Sequence, residues 1–250
     1  MKKRSAGAAA WLLAVCTGSV QAGTVQVAVA ANFAGPFQKI AADFAAQSGH
    51  QAVAITGSTG KFYNQIQQGA PFEVLLAADD DTPKRLEDEG LAIKGQRFTY
   101  AKGKLVLWSA KPGWVDDQGA VLRQGRFAHL ALANPKLAPY GAAAVETLTA
   151  LGLYQSLTSK LVQGENITQT QQFIATGNAE LGFVALSQVA PPGKPPEGSW
   201  WVVPAQLYQP ILQDAVLLKK GDNNEAARAL LHYLKSDKAR SIIKSYGYEF

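Results

Sequence analysis

Cysteine, methionine and histidine are nearly missing from this 250-residue chain, which holds one Cys, one Met and three His. Met1 and Cys16 both fall within the first 22 residues. Beyond residue 22 there is therefore no thiolate nucleophile, no disulfide and no Cys-based metal site. His50, His129 and His232 stand apart, none in a metal-ligand spacing such as HExxH, and each reads as a surface or structural residue. Charge is also sparse, at 17% of residues, and three of the five formal net positive charges (Lys2, Lys3, Arg4) precede any acid. Setting these aside leaves +2 on residues 23–250, with no run of Lys or Arg, so an electrostatic footprint for nucleic acid is excluded. No apolar run after residue 22 is long enough to cross a bilayer.

What is present is an apolar chain, 47% hydrophobic, able to build one large core or two ordinary ones. The basic start leads into an apolar stretch over residues 6–15, and Val20-Gln21-Ala22 places small residues at −3 and −1 of a cleavage point. This is the layout of a secretory signal peptide cut after Ala22, and it predicts a soluble protein exported to the periplasm. Leu13-Ala14-Val15-Cys16 departs from a lipoprotein box because Val15 is bulky.

Residues 24–30 alternate as a strand, 37–48 follow helical spacing up to Gly49, and 52–55 read as a short strand. A helix over 60–68, a continuously apolar strand at 73–77 and a short polar helix at 83–89 complete a βαβαβα opening. The segment 98–110 is extended and interrupted by Gly103, as suits a strand passing between domains. A second series follows: a strand at 128–133, helices at 139–151 and 168–176, and a strand at 181–186. The stretch 190–200 is Pro/Gly-rich loop, 210–218 returns as a strand, and 223–246 supplies closing helices. The expected architecture is α/β with two lobes, each a mostly parallel sheet flanked by helices, joined by two crossover strands. Residues 23–103 plus 210–250 form lobe I and residues 104–209 form lobe II.

Gly57-Ser58-Thr59-Gly60-Lys61 is not a P-loop, because Ile55 and Phe62 stand where a Gly and a hydroxyl are required. Asp79-Asp80-Asp81 reads as a solvated helix start rather than a metal site. The informative feature is a set of four short polar turns, each after a strand and opening a helix. They are Ala31-Asn32-Phe33, the turn around Ser58 and Thr59, Ala138-Pro139-Tyr140-Gly141, and Asn166-Ile167-Thr168, where Thr168 with Gln171 fits a capping box. Helix N-termini with hydroxyl and amide donors form an anion site. Apart from Lys61 the donors are neutral, and Glu165 is the one acid nearby. A cradle that only donates suits a fully deprotonated tetrahedral dianion (molybdate, tungstate or sulfate) better than hydrogen phosphate, whose proton needs an acceptor.

Six segments together resemble the periplasmic molybdate-binding proteins of ABC importers: VAVAANF (27–33), the stretch from TGSTG to PKRL (56–86), GKLVLWSAKPG (103–113), ANPKLAPYG (133–141), the stretch from GENIT to LSQV (164–189) and YLKSDKARSIIKSYGY (233–248). The resemblance spans nearly all of residues 24–250 and implies the two-lobed type II periplasmic binding protein fold. It implies a monomer that captures molybdate or tungstate as ligand, with no cofactor, no catalysis and no metal ligated by side chains, and that delivers it to a membrane permease. By resemblance Asn32 donates through side chain and backbone, Thr59 or Ser58 supplies a hydroxyl, and Ile167 gives its backbone N–H. Tyr140 gives a backbone N–H, and its phenol could replace a Tyr hydroxyl that some members carry where this chain has Ala185. The alternatives are a sulfate or other oxyanion binder, and an exported hydrolase acting on a phosphorylated or sulfated substrate. The hydrolase would need an acid/base or nucleophile–base pair that the four turns lack.

Overall fold

The structure, a computed structural model, describes residues 22–190, 192–193 and 197–250. The leader expected at residues 1–22 lies outside the described residues except for Ala22. β1 (Thr24–Ala30) turns Val25, Val27 and Val29 to one face and Ala28 to the other, all fully buried. The alternation continues as α1 (Ala34–Ser48), β2 (Gln51–Gly57), α2 (Thr59–Gln67), β3 (Val74–Leu76), α3 (Asp81–Asp88) and β4 (Phe98–Gly103). α1 ends as its sequence predicts: Gly49 takes φ 75° and its N–H returns to the Ala45 carbonyl, a conformation that costs a glycine little. The chain then builds β5 (Leu105–Ser109), α4 (Val121–Gln124), β6 (Leu130–Ala133), α5 (Pro139–Ala150) and α6 (Tyr154–Leu157). β7 (Leu161–Gly164), α7 (Ile167–Ala175), β8 (Leu181–Ala185), α8 (Leu186–Val189) and β9 (Ser199–Val202) follow. β10 (Ile211–Leu217) returns, followed by α9 (Glu225–Leu234) and α10 (Asp237–Ser245).

The strands form two five-stranded sheets, ordered β2-β1-β3-β10-β4 and β7-β6-β8-β5-β9. In each sheet four strands run one way and one is reversed: β10 in the first, β5 in the second. The reversed strand is the one by which the chain enters that sheet from the other. Both faces of the first sheet are covered. Val27, Val29, Val74 and Leu76 pack with Phe37, Leu230 and Ile243, while Leu75 and Val216 pack with Phe62, Ile66 and Leu86 on the opposite side. The second sheet repeats the plan, with Leu105, Leu130 and Phe183 against Ala144 and Leu148, and Val106, Ala131 and Val184 against Ile174. Such two-sided burial is what lets the strands read as unbroken apolar runs.

Two strands differ from expectation. β7 lies between helices where no strand is predicted, and β9 begins inside the Pro/Gly-rich stretch read as loop. Each has four residues at a sheet edge, too few to display a period. The capping box expected of Thr168 and Gln171 does not form. Asn166 is the N-cap of α7, its side-chain oxygen accepting from the N–H groups of Thr168 and Gln169 (both 3.0 Å), while Gln171 Nε2 donates to the Gln188 carbonyl.

Candidate anion-binding site

The carboxyl ends of β1, β2, β6 and β7 face one another across the junction of the lobes, and a polar turn follows each. Between them lies one small cavity lined by Ala30, Asn32, Ser58, Thr59, Tyr140 and Ile167, with Ala31, Gly57, Ala78, Ala138, Pro139 and Asn166 completing the wall. All five residues predicted to bind therefore meet at one place, each at most 5% exposed. The lobes are closed over it. The Gly60 N–H donates to the Leu137 carbonyl of the other lobe at 2.9 Å. A Cβ at Gly60 would stand 3.0 Å from Leu137 Cα, so a side chain there would wedge the lobes apart.

Donors dominate the wall. Thr59, Tyr140 and Ile167 sit in the first turns of α2, α5 and α7, where backbone N–H groups have no intrahelical acceptor. The N–H groups of Asn32, Thr59, Tyr140 and Ile167 find no protein acceptor among the described residues. Pro139 opens α5 and adds no N–H of its own. α1, α2, α5 and α7 carry no acidic residue in their first turns, so the positive ends of their dipoles are uncompensated. A nearby ion pair, Lys61 with Glu165 at 3.7 Å, is exposed and self-neutralising.

The two adjacent hydroxyls differ. Thr59 Oγ1 accepts from the buried N–H of Ala78 at 3.0 Å, and its own proton has no acceptor among the described residues. Ser58 occupies the N-cap position of α2 yet caps nothing, and its hydroxyl has no partner among the described residues. An N-cap serine normally spends its oxygen on the helix; this one is available to a ligand.

Three expectations about side chains change. Both Nδ2 protons of Asn32 are used within the protein, on Gln213 Oε1 and the Tyr248 hydroxyl (2.9 Å each), so its backbone N–H is the donor it has left. The Tyr140 phenol turns away from the cavity, accepting from Gln213 Nε2 at 3.2 Å and crowding Gly103, where a Cβ would come within 2.1 Å of its oxygen. It does not replace the hydroxyl absent at Ala185. Nor is the Asp79-Asp80-Asp81 start fully solvated. Asp79 is half-buried beside the cavity wall, accepts from the Thr82 N–H (2.8 Å) and hydroxyl (3.3 Å), and burial raises its pKa to about 6. No group of three or more His, Cys, Asp or Glu among the described residues could hold a metal ion.

Behind the donors runs a buried polar network that the sequence reading did not identify. Gln213, fully buried, accepts from Asn32 Nδ2 and from the Tyr100 hydroxyl (3.1 Å) and donates to Tyr140. The register of β10 against β4 shifts between Gln213 and Asp214, a bulge of the kind that re-aims side chains near functional sites. Burial holds the phenols of Tyr100 and Tyr140 well above their ordinary pKa and pushes Tyr248 up to about 12, so all three stay protonated. The available signal was the Gln213-Asp214 pair inside an otherwise apolar strand.

The family model for bacterial extracellular solute-binding proteins matches residues 25–249. The chain belongs to that family. Among solute-binding relatives, the molybdate-binding protein ModA of Azotobacter vinelandii is 62% identical over 92% of this chain and 91% of its own length. The molybdate-binding protein ModA of Rhodobacter capsulatus is 55% identical over 91% and 88%. The solved structure of an Azotobacter vinelandii periplasmic molybdate-binding protein superimposes with a TM-score of 0.88 at 44% identity, covering 90% of this chain and 99% of that one. The two-lobed α/β architecture is thus the type II fold of periplasmic solute-binding proteins.

Proposed function

We propose that this solute-binding protein captures molybdate, and with it tungstate, between its two lobes and delivers it to the permease of an ABC importer. The observation that carries this reading is the donor set itself. Four backbone N–H groups and two hydroxyls converge on a cavity for one small group, with no carboxylate in the wall. A tetrahedral dianion offers only acceptors, and each bond from a neutral donor to it contributes about 1.5–3 kcal/mol. The names borne by relatives at 55–62% identity support molybdate over other oxyanions. In this reading Asn32, Thr59, Tyr140 and Ile167 give backbone N–H groups, and Ser58 and Thr59 give hydroxyls. The lobe boundaries are residues 23–103 plus 210–250 and residues 104–209. The protein acts as a monomer, without a cofactor and without catalysis; among the described residues neither hydroxyl is hydrogen-bonded to a base. It works in the periplasm after cleavage behind Ala22, which mass spectrometry of the exported protein checks through an expected N-terminal Gly23.

Calorimetric titration of the mature protein with molybdate, tungstate, sulfate and phosphate tests the assignment. Molybdate and tungstate bind tightly, and phosphate binds at least ten-fold more weakly because its proton meets no acceptor. Equal affinities for molybdate and phosphate contradict the neutral-donor argument. Scattering with molybdate gives a smaller radius of gyration than without, as the lobes close.

A further inference from the structure

Ser187 lies on α8 in the second lobe, outside the cavity wall, yet its hydroxyl bonds only to the first lobe. Its Oγ donates to the Asn32 carbonyl at 2.9 Å and accepts from the Tyr248 hydroxyl at 3.0 Å. Tyr248 in turn accepts from Asn32 Nδ2 at 2.9 Å and also lies 2.9 Å from the Asn32 carbonyl. Asn32 amide to Tyr248 phenol, phenol to Ser187 hydroxyl, and hydroxyl back to the Asn32 carbonyl make a ring in which each donor spends one proton. The three residues are buried. Asn32 is also the residue whose backbone N–H faces the anion cavity. Of the ring's three bonds, the two that involve Ser187 join the lobes across the closed cleft.

We propose that Ser187 and Tyr248 are positioning residues that latch the closed cleft, so that they set how long an enclosed anion is retained. The proposal rests on the oxyanion-capture reading above. A ligand that is held only by the closed state has an apparent affinity proportional to the closed population. Bonds present only in that state therefore slow opening and release, while entry into the open cleft is unaffected. Removing the Ser187 hydroxyl deletes both interlobe bonds, but the Asn32 carbonyl keeps the Tyr248 proton, so no buried acceptor is stripped bare. Among the described residues the Ser187 hydroxyl has no partner in its own lobe, so its loss breaks no contact within that lobe. The expected effect is a five- to ten-fold weakening, about what modest hydrogen bonds contribute.

The test is stopped-flow release and calorimetry with molybdate on the wild-type protein, Ser187→Ala, Tyr248→Phe and the double variant. Ser187→Ala is expected to release molybdate about five- to ten-fold faster, with unchanged association rate and unchanged thermal midpoint without ligand. The double variant is expected to lose less than the sum of the single losses, because the two hydroxyls act as one unit. Wild-type release rates in Ser187→Ala, alongside normal binding by the wild type, overturn the latch alone. A wild-type protein that binds no oxyanion overturns the function reading, and the latch with it.

Discussion

Ser58 and Thr59 are neighbours in sequence and share one wall of the cavity, yet their hydroxyls stand in opposite relations to the fold. Ser58→Ala removes an oxygen that bonds to nothing among the described residues and does not cap its helix. Stability is expected to change by less than about 0.5 kcal/mol, as for a substitution that breaks no contact. If Ser58 donates to a bound dianion, however, affinity falls by about 1.5–3 kcal/mol, or roughly ten- to 150-fold. Thr59→Ala carries the same loss of affinity and a second cost. The N–H of Ala78, buried, loses its acceptor at 3.0 Å. An unsatisfied buried donor costs about 1–3 kcal/mol, and in a chain of this size each kcal/mol lowers the thermal midpoint by about 2–4 °C. Calorimetry with molybdate and thermal melts of both ligand-free variants separate the two effects. Molybdate affinity within two-fold of wild type in Ser58→Ala would refute the assignment of its hydroxyl to the ligand. An unshifted midpoint in Thr59→Ala would refute the role of Thr59 as acceptor for Ala78.

Three further outcomes follow from the geometry. Tyr140→Phe is expected to weaken molybdate binding by less than about five-fold, since the phenol touches Gln213 rather than the cavity and a long neutral bond contributes little; titration checks it, and a loss as large as that of Thr59→Ala would return the phenol to the ligand. Gly103→Ala would set a methyl 2.1 Å from the Tyr140 oxygen and 2.7 Å from Gln213 Nε2, so a lowered thermal midpoint and weakened binding are expected together. Asp79 has a pKa of about 6 in the fold against 3.8 ordinarily, so its protonation favours the folded state: stability from this group is present at low pH and lost as pH rises through about 6. The wild-type midpoint measured relative to that of Asp79→Asn should accordingly rise between pH 7 and pH 5, and a flat difference would show that burial does not govern this carboxyl.

Much of the fold was legible because burial writes itself into composition. The Val25-Val27-Val29 alternation, the stop at Gly49 and the apolar run at Val74–Leu76 each announced an element that the structure contains. Four-residue edge strands such as β7 and β9 announced nothing, since their pairing is decided by the partners β6 and β5 rather than by a local pattern. The site divides along the same line. Its location was legible, because helix-opening turns at strand ends carry recognisable residue types, and all five candidates line one cavity.

Which atom of each residue faces that cavity was not legible, because distant partners decide it. Asn32 loses both side-chain protons to Gln213 and Tyr248, 181 and 216 positions away, and Tyr140 turns its phenol to a glutamine 73 positions on. In each case the chain spends the conspicuous side chain on the fold and leaves the backbone N–H without a protein acceptor among the described residues. Backbone donors at helix ends are fixed by the helices that carry them, so the cradle needs little side-chain ordering when an anion arrives. The side chains behind it, held in a buried network that crosses both lobes, are then free to serve closure.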